Sequence, residues 1–226
     1  MNEKKVNNTF EHLFKHESSL YDDFLTGRTW YAKLFNYVFW HQKDMCSSEK
    51  ILFDMFPPNF NGKLLDVPCG TGVFTKNRYL KMQNAKIVCL DYSNEMIERF
   101  KNALKGNEEK VQHISFCQGD VVHLPYEDES FDIVLSMNGY QCFPEKEKAL
   151  KEMKRVLKKE GLLIGSAYIK GKYFLSDLLV KIYDAKHIMI APHENESELK
   201  LKLEKYFEIK FYQSTGSVSH FACIKH

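Results

Sequence analysis

The chain has 226 residues with a formal net charge of +2, and 44% of its residues are hydrophobic. That length is enough for one domain with a substantial core, and the hydrophobic share is typical of a soluble globular protein. The near-balance of charge argues against DNA, RNA or an anionic membrane as the main partner, because these bind an excess of basic residues.

Nothing in the sequence points to export or to membrane insertion. No window approaches the roughly 18 apolar residues that a membrane-spanning helix needs, and the first stretch, MNEKKVNNTF, is polar. None of the cysteines forms a Cys-x-x-Cys pair, so we expect reduced thiols, no metal site and a cytoplasmic location. The cysteines are Cys46, Cys69, Cys89, Cys117, Cys142 and Cys223.

The chain begins with a segment that we expect to form a helical cap over residues 1–45. Its apolar residues recur at helical spacing, but the segment precedes the first predicted strand. The predicted faces are Val6, Phe10, Leu13 and Phe14 in one helix and Trp30, Leu34, Tyr37 and Val38 in another. The remaining residues, 46–226, are predicted to form the core of the same single domain.

From residue 46 onward, short apolar runs alternate with amphipathic segments, which is typical of an α/β sheet. Ser47 or Ser48 is the predicted N-cap of the first helix, and Ser93 is the predicted N-cap of the third. Strands are predicted at 63–67, 86–91, 114–120, 131–138 and 162–169, and helices at 73–82, 94–106 and 144–157. Gly161 is expected to stop the last of these helices.

The last third departs from this alternation. Helices are predicted at about 172–185 and 196–206, and residues 170–194 form an insertion on the expected substrate side. Strands at 207–214 and 218–225 are joined only by TGS, and so short a link makes an antiparallel hairpin. The predicted fold class is therefore α/β, with a seven-stranded, mostly parallel sheet, helices on both faces and one antiparallel edge strand in the C-terminal hairpin.

Three acidic residues stand at the ends of the first three predicted strands: Asp66, Asp91 and Asp120. In an open parallel sheet, ligands bind outside the carboxyl ends of the strands. An acid at the end of the second strand can accept from both hydroxyls of a ribose. Gly70 and Gly72, just after the first strand, lack a Cβ where a ligand approaches the backbone closely. Together these residues predict a site for a nucleoside-bearing cofactor.

Four stretches resemble successive motifs of class I S-adenosylmethionine-dependent methyltransferases, particularly the small-molecule group. They are LLDVPCGTGVFT, IVCLDYSNEMIERFKNAL, FCQGDVVHLPYEDESFDIVLSMNG and ALKEMKRVLKKEGLLIGS. The resemblance runs from about residue 51 to the C-terminus and implies a Rossmann-like fold. A dinucleotide-binding fingerprint would need a third glycine where this chain has Thr75, which argues against a dehydrogenase.

The resemblance implies S-adenosylmethionine as cofactor and S-adenosylhomocysteine as product. It assigns Asp66 to the amino group, Asp91 to the ribose hydroxyls and Asp120 to the adenine amino group of the cofactor. The full set of implied cofactor contacts is Asp66, Pro68, Cys69, Gly70, Thr71, Gly72, Asp91, Tyr92, Met96, Asp120, Val121 and Asn138. The family usually has glycine where this chain has Pro68, and a positive φ at that position would break the turn, because proline fixes φ near −65°.

The resemblance also implies a small-molecule acceptor, methylated at O, N or S and held beside apolar or aromatic residues. The candidate acceptor contacts are Trp30, Tyr31 and Tyr140, and Tyr140 and His41 are the candidates for a catalytic role. His113, His123 and His193 are further histidines that could act as a base if the acceptor must lose a proton.

Two other functions remain open at this stage. The chain could bind the cofactor without catalysis, as a sensor or as a subunit that supports a partner enzyme. A nucleotide-dependent dehydrogenase is the third and most distant alternative. The sequence carries no signal for an oligomeric state.

Overall fold

A computed structural model describes residues 22–23, 25–41 and 46–226. Its central feature is a seven-stranded sheet in the order β3-β2-β1-β4-β5-β7-β6. The strands are β1 (Lys63–Asp66), β2 (Lys86–Asp91), β3 (Ile114–Gln118), β4 (Phe131–Met137), β5 (Leu157–Tyr168), β6 (Glu208–Thr215) and β7 (Val218–Ile224). The predicted helix face Val6, Phe10, Leu13 and Phe14 lies outside the described residues.

The pairing of the strands confirms the predicted fold class. Strands β1 to β5 pair with one another in parallel, and β1 lies between β2 and β4. The C-terminal hairpin forms one edge of the sheet, as predicted. Its antiparallel member is β7, which pairs with both β5 and β6 and therefore lies one place in from the edge.

Helices cover both faces of the sheet. They are α1 (Trp30–Phe35), a π-helix (Asn36–Trp40), α2 (Cys46–Asp54), α3 (Lys76–Tyr79), α4 (Asn94–Leu104), α5 (Lys146–Val156), α6 (Phe174–Ala185) and α7 (Glu196–Glu204). Leu150 of α5 and Leu203 of α7 belong to the core on one face. Leu52 of α2 and Phe100 of α4 belong to the core on the other. Because both faces are covered, the central strands are apolar throughout rather than alternating.

Several boundaries differ from the sequence prediction. Helix α2 begins at Cys46, so Ser47 and Ser48 lie in its first turn and do not precede it as N-caps. Ser48 is buried, and its Oγ lies 2.9 Å from Nε2 of His220 in β7. The helix predicted at 73–82 contracts to the four residues of α3, and β3 ends at Gln118, two residues before Asp120. By contrast, Ser93 caps α4 as predicted, accepting from the backbone N–H of Met96.

The prediction that Gly161 ends a helix is wrong. Helix α5 ends at Val156, and β5 starts at Leu157 and runs through Gly161. The register between β4 and β5 shifts between Phe131 and Ile133, where the strand is irregular. A Cβ on Gly161 would lie 2.8 Å from the carbonyl oxygen of Lys158, so glycine permits a close backbone approach inside the strand.

The π-helix docks on the turn of the C-terminal hairpin. The backbone N–H of Ser217 donates to the carbonyl oxygen of Trp40, at 3.1 Å. Gly216, in the same turn, has φ +58°, and a Cβ there would lie only 2.0 Å from that carbonyl oxygen. The approach of two backbones therefore requires glycine at this position.

We expect Gly216→Ala to lower the free energy of unfolding by about 3 kcal/mol or more, because left-handed strain and a backbone clash add. Gly171→Ala is the matched control. Gly171 has φ +81° with nothing within 4 Å of a Cβ, so strain alone should cost about 1–2 kcal/mol. Urea unfolding of both variants measures the difference. Equal losses would contradict a tightly docked π-helix.

Candidate active site at the carboxyl edge of the sheet

The two positive φ angles in the turn after β1 both fall on glycines. Pro68 follows a cis peptide bond and does not have a positive φ, whereas Gly70 has φ +55° and Gly72 has φ +69°. The turn therefore does not require at Pro68 the positive φ that a proline ring forbids. A Cβ on Gly72 would lie 2.2 Å from the ring of Phe100, but a Cβ on Gly70 would meet nothing within 4 Å. Gly70 thus leaves open space beside the backbone, at the place where a ligand was expected.

Asp91, the last residue of β2, joins this turn to the start of α4. Its Oδ2 accepts from the backbone N–H of Gly70 at 2.8 Å, and its Oδ1 accepts from the backbone N–H of Ser93 at 2.9 Å. Each carboxylate oxygen has two lone pairs, so acceptor capacity remains for a ligand. Burial raises the pKa of Asp91 to about 6, against the opposing effect of these backbone hydrogen bonds.

Asp66, the last residue of β1, is more deeply buried. The side chain is 1% exposed, and its Oδ2 accepts from the Tyr79 hydroxyl at 2.8 Å. Burial raises the pKa of Asp66 to about 8, and the nearby charge of Asp91 adds to the shift. Tyr79 is a partner that sequence reasoning missed, because the spacing within the predicted helix did not indicate which face it would occupy.

The residues predicted for the adenine side also lie together. The backbone N–H of Gly119 donates to the carbonyl oxygen of Asp91 at 3.0 Å, which brings the end of β3 to the end of β2. Asp120 follows, and its Oδ1 accepts from the backbone N–H of Val122. Three more predicted contacts lie close to these residues in the chain, two of them buried and the third exposed: Met96, Val121 and Tyr92.

The loop after β4 is fixed by a small polar network. Asn138 has φ +54°, and its backbone N–H donates to Oγ of Ser166 at 3.0 Å. The Ser166 hydroxyl donates in turn to Oδ1 of Asn138, and Nε2 of Gln141 donates to its carbonyl oxygen. A Cβ on Gly139 would lie 2.0 Å from Cδ of Pro68, so this loop packs directly on the turn after β1. Sequence reasoning named Asn138 but missed Ser166 and Gln141.

The segment before the core also reaches the turn. The Thr71 hydroxyl donates to Oδ1 of Asp22 at 2.8 Å, and Thr71 itself is buried. Burial raises the pKa of Asp22, and the hydrogen bond from Thr71 acts in the opposite direction. Asp22 was not a predicted site residue, since a contact across 49 positions leaves no local pattern.

The structure places the catalytic and acceptor candidates in different surroundings. Tyr140 is 2% exposed and lies in the core, where burial, and next the charge of Glu194, raise the pKa of its hydroxyl. The ring of His41 stacks on Tyr173 with centroids 3.6 Å apart. Trp30 and Tyr31 lie edge to face at 5.9 Å, on the exposed side of α1. Their catalytic and acceptor roles stay predictions.

The other histidines also have defined positions. Nε2 of His113 lies 3.0 Å from the carbonyl oxygen of Tyr79, and Nε2 of His193 lies 2.8 Å from Oδ1 of Asp184. His123 is exposed. Within residues 22–23, 25–41 and 46–226, no three His, Cys, Asp or Glu side chains are grouped as metal ligands. None of the described helices is long and apolar enough to cross a membrane.

These features fit a nucleoside-bearing cofactor. The open space at Gly70, the spare acceptor capacity of Asp91 and the neighbouring Asp120 lie in a row along one edge of the sheet. Asp66, the last residue before the same turn, is buried with a raised pKa, and a cationic group beside it would favour its ionised form. The arrangement can therefore bind hydroxyl, amino and adenine groups at successive strand ends.

Comparison with known proteins gives a consistent result. Residues 65–165 match the model of a methyltransferase domain. Over 133 residues the chain is 33% identical to the ubiquinone/menaquinone biosynthesis C-methyltransferase UbiE of Proteus mirabilis, covering 58% of this chain and 51% of that protein. Over 101 residues it is 38% identical to the demethylmenaquinone methyltransferase of Alkalihalophilus pseudofirmus, covering 44% of this chain and 42% of that protein. The chain thus matches about half or less of the length of these relatives.

One solved structure extends the similarity to nearly the whole chain. It is a crystal structure of an S-adenosylmethionine-dependent methyltransferase from Thermotoga maritima. It covers 98% of this chain and 100% of its own, with a TM-score of 0.66 and 21% sequence identity. At that identity the likeness establishes the fold alone.

Proposed function

We propose that this chain, which is similar to the class I S-adenosylmethionine-dependent methyltransferases, transfers a methyl group from that cofactor to a small, apolar or aromatic acceptor. The observation that carries the proposal is the turn after β1, where Asp91 holds Gly70 beside open space. The acceptor atom is predicted to be O, N or S. The names of the quinone-methylating relatives add carbon to this set.

The proposal gives the three strand-end carboxylates separate roles in holding the cofactor. Asp91 would accept from the ribose hydroxyls, Asp120 from the adenine amino group, and Asp66 would face the cationic amino group. The bound cofactor supplies a methyl group that is already activated on a sulfonium, so the protein need only orient the acceptor. Holding reactants in line can lower the barrier by roughly 7–11 kcal/mol.

The chain's own residues would provide this orientation in two ways. The loop after β4 is held by Ser166 and Gln141, which keeps Asn138 in a strained conformation against the turn after β1. Asp22 bonds to Thr71 and brings the segment before the core over the same turn. An acceptor held between the cap, the insertion at 170–194 and this loop would be shielded from water.

The proposal is tested with methyl-labelled S-adenosylmethionine and four acceptor classes: a reduced quinone, a phenol, an amine and a thiol. We expect one class to gain one methyl group for each S-adenosylhomocysteine released, and Asp91→Ala to abolish the transfer. Failure to bind S-adenosylhomocysteine would contradict the proposal at the cofactor. Binding without transfer to any class would favour the sensor or partner-subunit alternative.

A matched pair of variants then tests the acceptor side. Trp30 is 76% exposed and is a predicted acceptor contact, whereas Leu201, on α7, is 67% exposed and is not. Trp30→Ala should raise the KM for the acceptor and leave S-adenosylhomocysteine binding unchanged, and Leu201→Ala should change neither. An unchanged KM in Trp30→Ala would remove Trp30 from the acceptor site.

A further inference from the structure

Helix α6 is apolar on both of its faces, although the part of the chain that the structure describes packs against only one of them. Its inner face carries the buried Leu179 and Val180, next to the cluster of Tyr168, Met189 and Trp40. Its outer face carries four exposed apolar side chains: Phe174 (79% exposed), Leu175 (40%), Leu178 (45%) and Ile182 (48%). A surface helix normally turns a polar face outward, so an apolar outer face indicates a partner.

The two exposed charged side chains that border this outer face are both lysines. At 100° per residue, Lys181 flanks the row of apolar residues on one side and Lys186 on the other. Both lysines are exposed, and no carboxylate among the described residues lies within ion-pairing distance of either. The two acids of the helix are engaged elsewhere, since Asp177 accepts from the Tyr168 hydroxyl and Asp184 pairs with His193.

The segment from α1 through the π-helix, which packs on α6, also exposes apolar and basic side chains. Helix α6 packs on the π-helix through the Ser176 hydroxyl, which donates to the carbonyl oxygen of Phe39. On this segment Leu34 and Tyr37 are each 54% exposed, and Lys33 between the aromatic residues is exposed as well. Aromatic and leucine side chains beside lysines are the composition of helices that lie in a lipid headgroup layer.

We propose that the outer face of α6, formed by Phe174, Leu175, Leu178 and Ile182 with Lys181 and Lys186, binds the surface of an anionic lipid membrane. The apolar side chains would enter the boundary between headgroups and acyl chains, and the two lysines would contact the anionic headgroups. A second copy of this chain fits less well, because a two-fold interface would gather four lysines, two from each copy, around one apolar contact without added carboxylates. The inference does not depend on methyl transfer.

The whole-chain charge of +2 had argued against an anionic membrane as a partner. That average includes the many lysines that are paired elsewhere, such as Lys172 with Glu196 and Lys170 with Glu198. On α6 the exposed charge is positive, because Asp177 and Asp184 are partly buried and hydrogen-bonded, whereas Lys181 and Lys186 are exposed. A helix lying on a membrane surface also needs no spanning segment.

The test is co-sedimentation of the full chain with vesicles of phosphatidylglycerol and phosphatidylcholine, compared with vesicles of phosphatidylcholine alone. We expect binding to the anionic vesicles that weakens with added salt. Phe174→Gln combined with Leu178→Gln should weaken binding about tenfold or more, since two exposed apolar side chains are lost. Lys181→Gln and Lys186→Gln should each weaken it roughly fivefold.

Matched variants away from this face serve as controls. Leu201→Gln removes an exposed apolar side chain on α7, and Lys159→Gln removes an exposed lysine on β5, and neither should change vesicle binding. Unchanged S-adenosylhomocysteine binding in every variant would show that the fold is intact. The proposal is overturned by no binding to anionic vesicles, by equal binding to neutral vesicles, or by binding that the α6 variants leave intact. Self-association that Phe174→Gln and Leu178→Gln abolish, without vesicle binding, would assign the face to a second copy instead.

Discussion

Asp91→Ala is expected to weaken S-adenosylhomocysteine binding by about 100-fold or more. Two ribose hydroxyls would donate to this carboxylate, and hydrogen bonds to a charged group contribute about 1.5–3 kcal/mol each. The variant also removes the acceptor for the backbone N–H groups of Gly70 and Ser93, so the turn loses its anchor to α4. Calorimetric titration of both proteins measures the effect.

The control is Ser93→Ala, which separates loss of the ligand contact from loss of local stability. Ser93 Oγ caps α4 by accepting from Met96, and losing an N-cap costs about 1 kcal/mol of stability. The backbone N–H of residue 93 still donates to Asp91, so ligand binding should stay close to wild type. Tight binding by Asp91→Ala would show that this carboxylate does not contact the ribose.

The fold could be predicted from the sequence wherever burial pattern and turn chemistry agree. β2 was predicted with its observed bounds, because Lys86 to Asp91 is an apolar run ending on an acid, and the hairpin followed from its three-residue link. The sequence predictions failed where contacts between residues far apart in the chain determine the local structure. Gly161 is a usual helix stop, yet here it permits a close approach to the backbone of Lys158 inside β5. Ser48 looks like a cap, yet its hydroxyl meets His220.

In the candidate site, too, some residues could be predicted from the sequence and others could not. Asp66, Asp91 and Asp120 could be found because strand ends are visible in the sequence and parallel strands end at one edge. Asp22 and Ser166 could not be found, since each reaches the site across many residues and neither belongs to a periodic pattern. A positive φ at Pro68 would have broken the turn, but the positive φ values fall on the glycines at 70 and 72.

In the wild type, Asp66 is expected to make the free energy of unfolding fall as pH rises, the opposite of the effect of a carboxylate whose pKa is lowered on folding. Asp66→Asn is expected to remove this pH dependence. The pKa of Asp66 in the folded protein is raised to about 8 from an ordinary value of 3.8. The stabilising proton is bound in both states below pH 4, and only in the folded state between pH 4 and 8. The free energy of unfolding therefore falls as pH rises through this window, by about 1.4 kcal/mol per pH unit.

The interval from pH 6 to pH 8 isolates Asp66 from Asp91. Asp91 shifts in the same direction, but its pKa is about 6, so its contribution is largely lost by then. Between pH 6 and 8 the wild type should lose about 2–3 kcal/mol by urea unfolding, and Asp66→Asn should lose much less. Asp91→Asn should keep most of this loss, and it should be somewhat smaller than in the wild type because the Asp91 charge no longer raises the pKa of Asp66. A flat wild-type curve over this interval would show that Asp66 is ionised in the folded protein.

The same raised pKa has a consequence for ligand binding. The amino group of S-adenosylhomocysteine is cationic near neutral pH, and a cation placed beside Asp66 favours its ionised form. Binding at pH 7 should therefore release a proton, which calorimetry detects as a binding enthalpy that changes with the ionisation enthalpy of the buffer. Asp66→Asn should show no such release. Release that persists in this variant would assign the proton to another group and would move the amino group of the ligand away from Asp66.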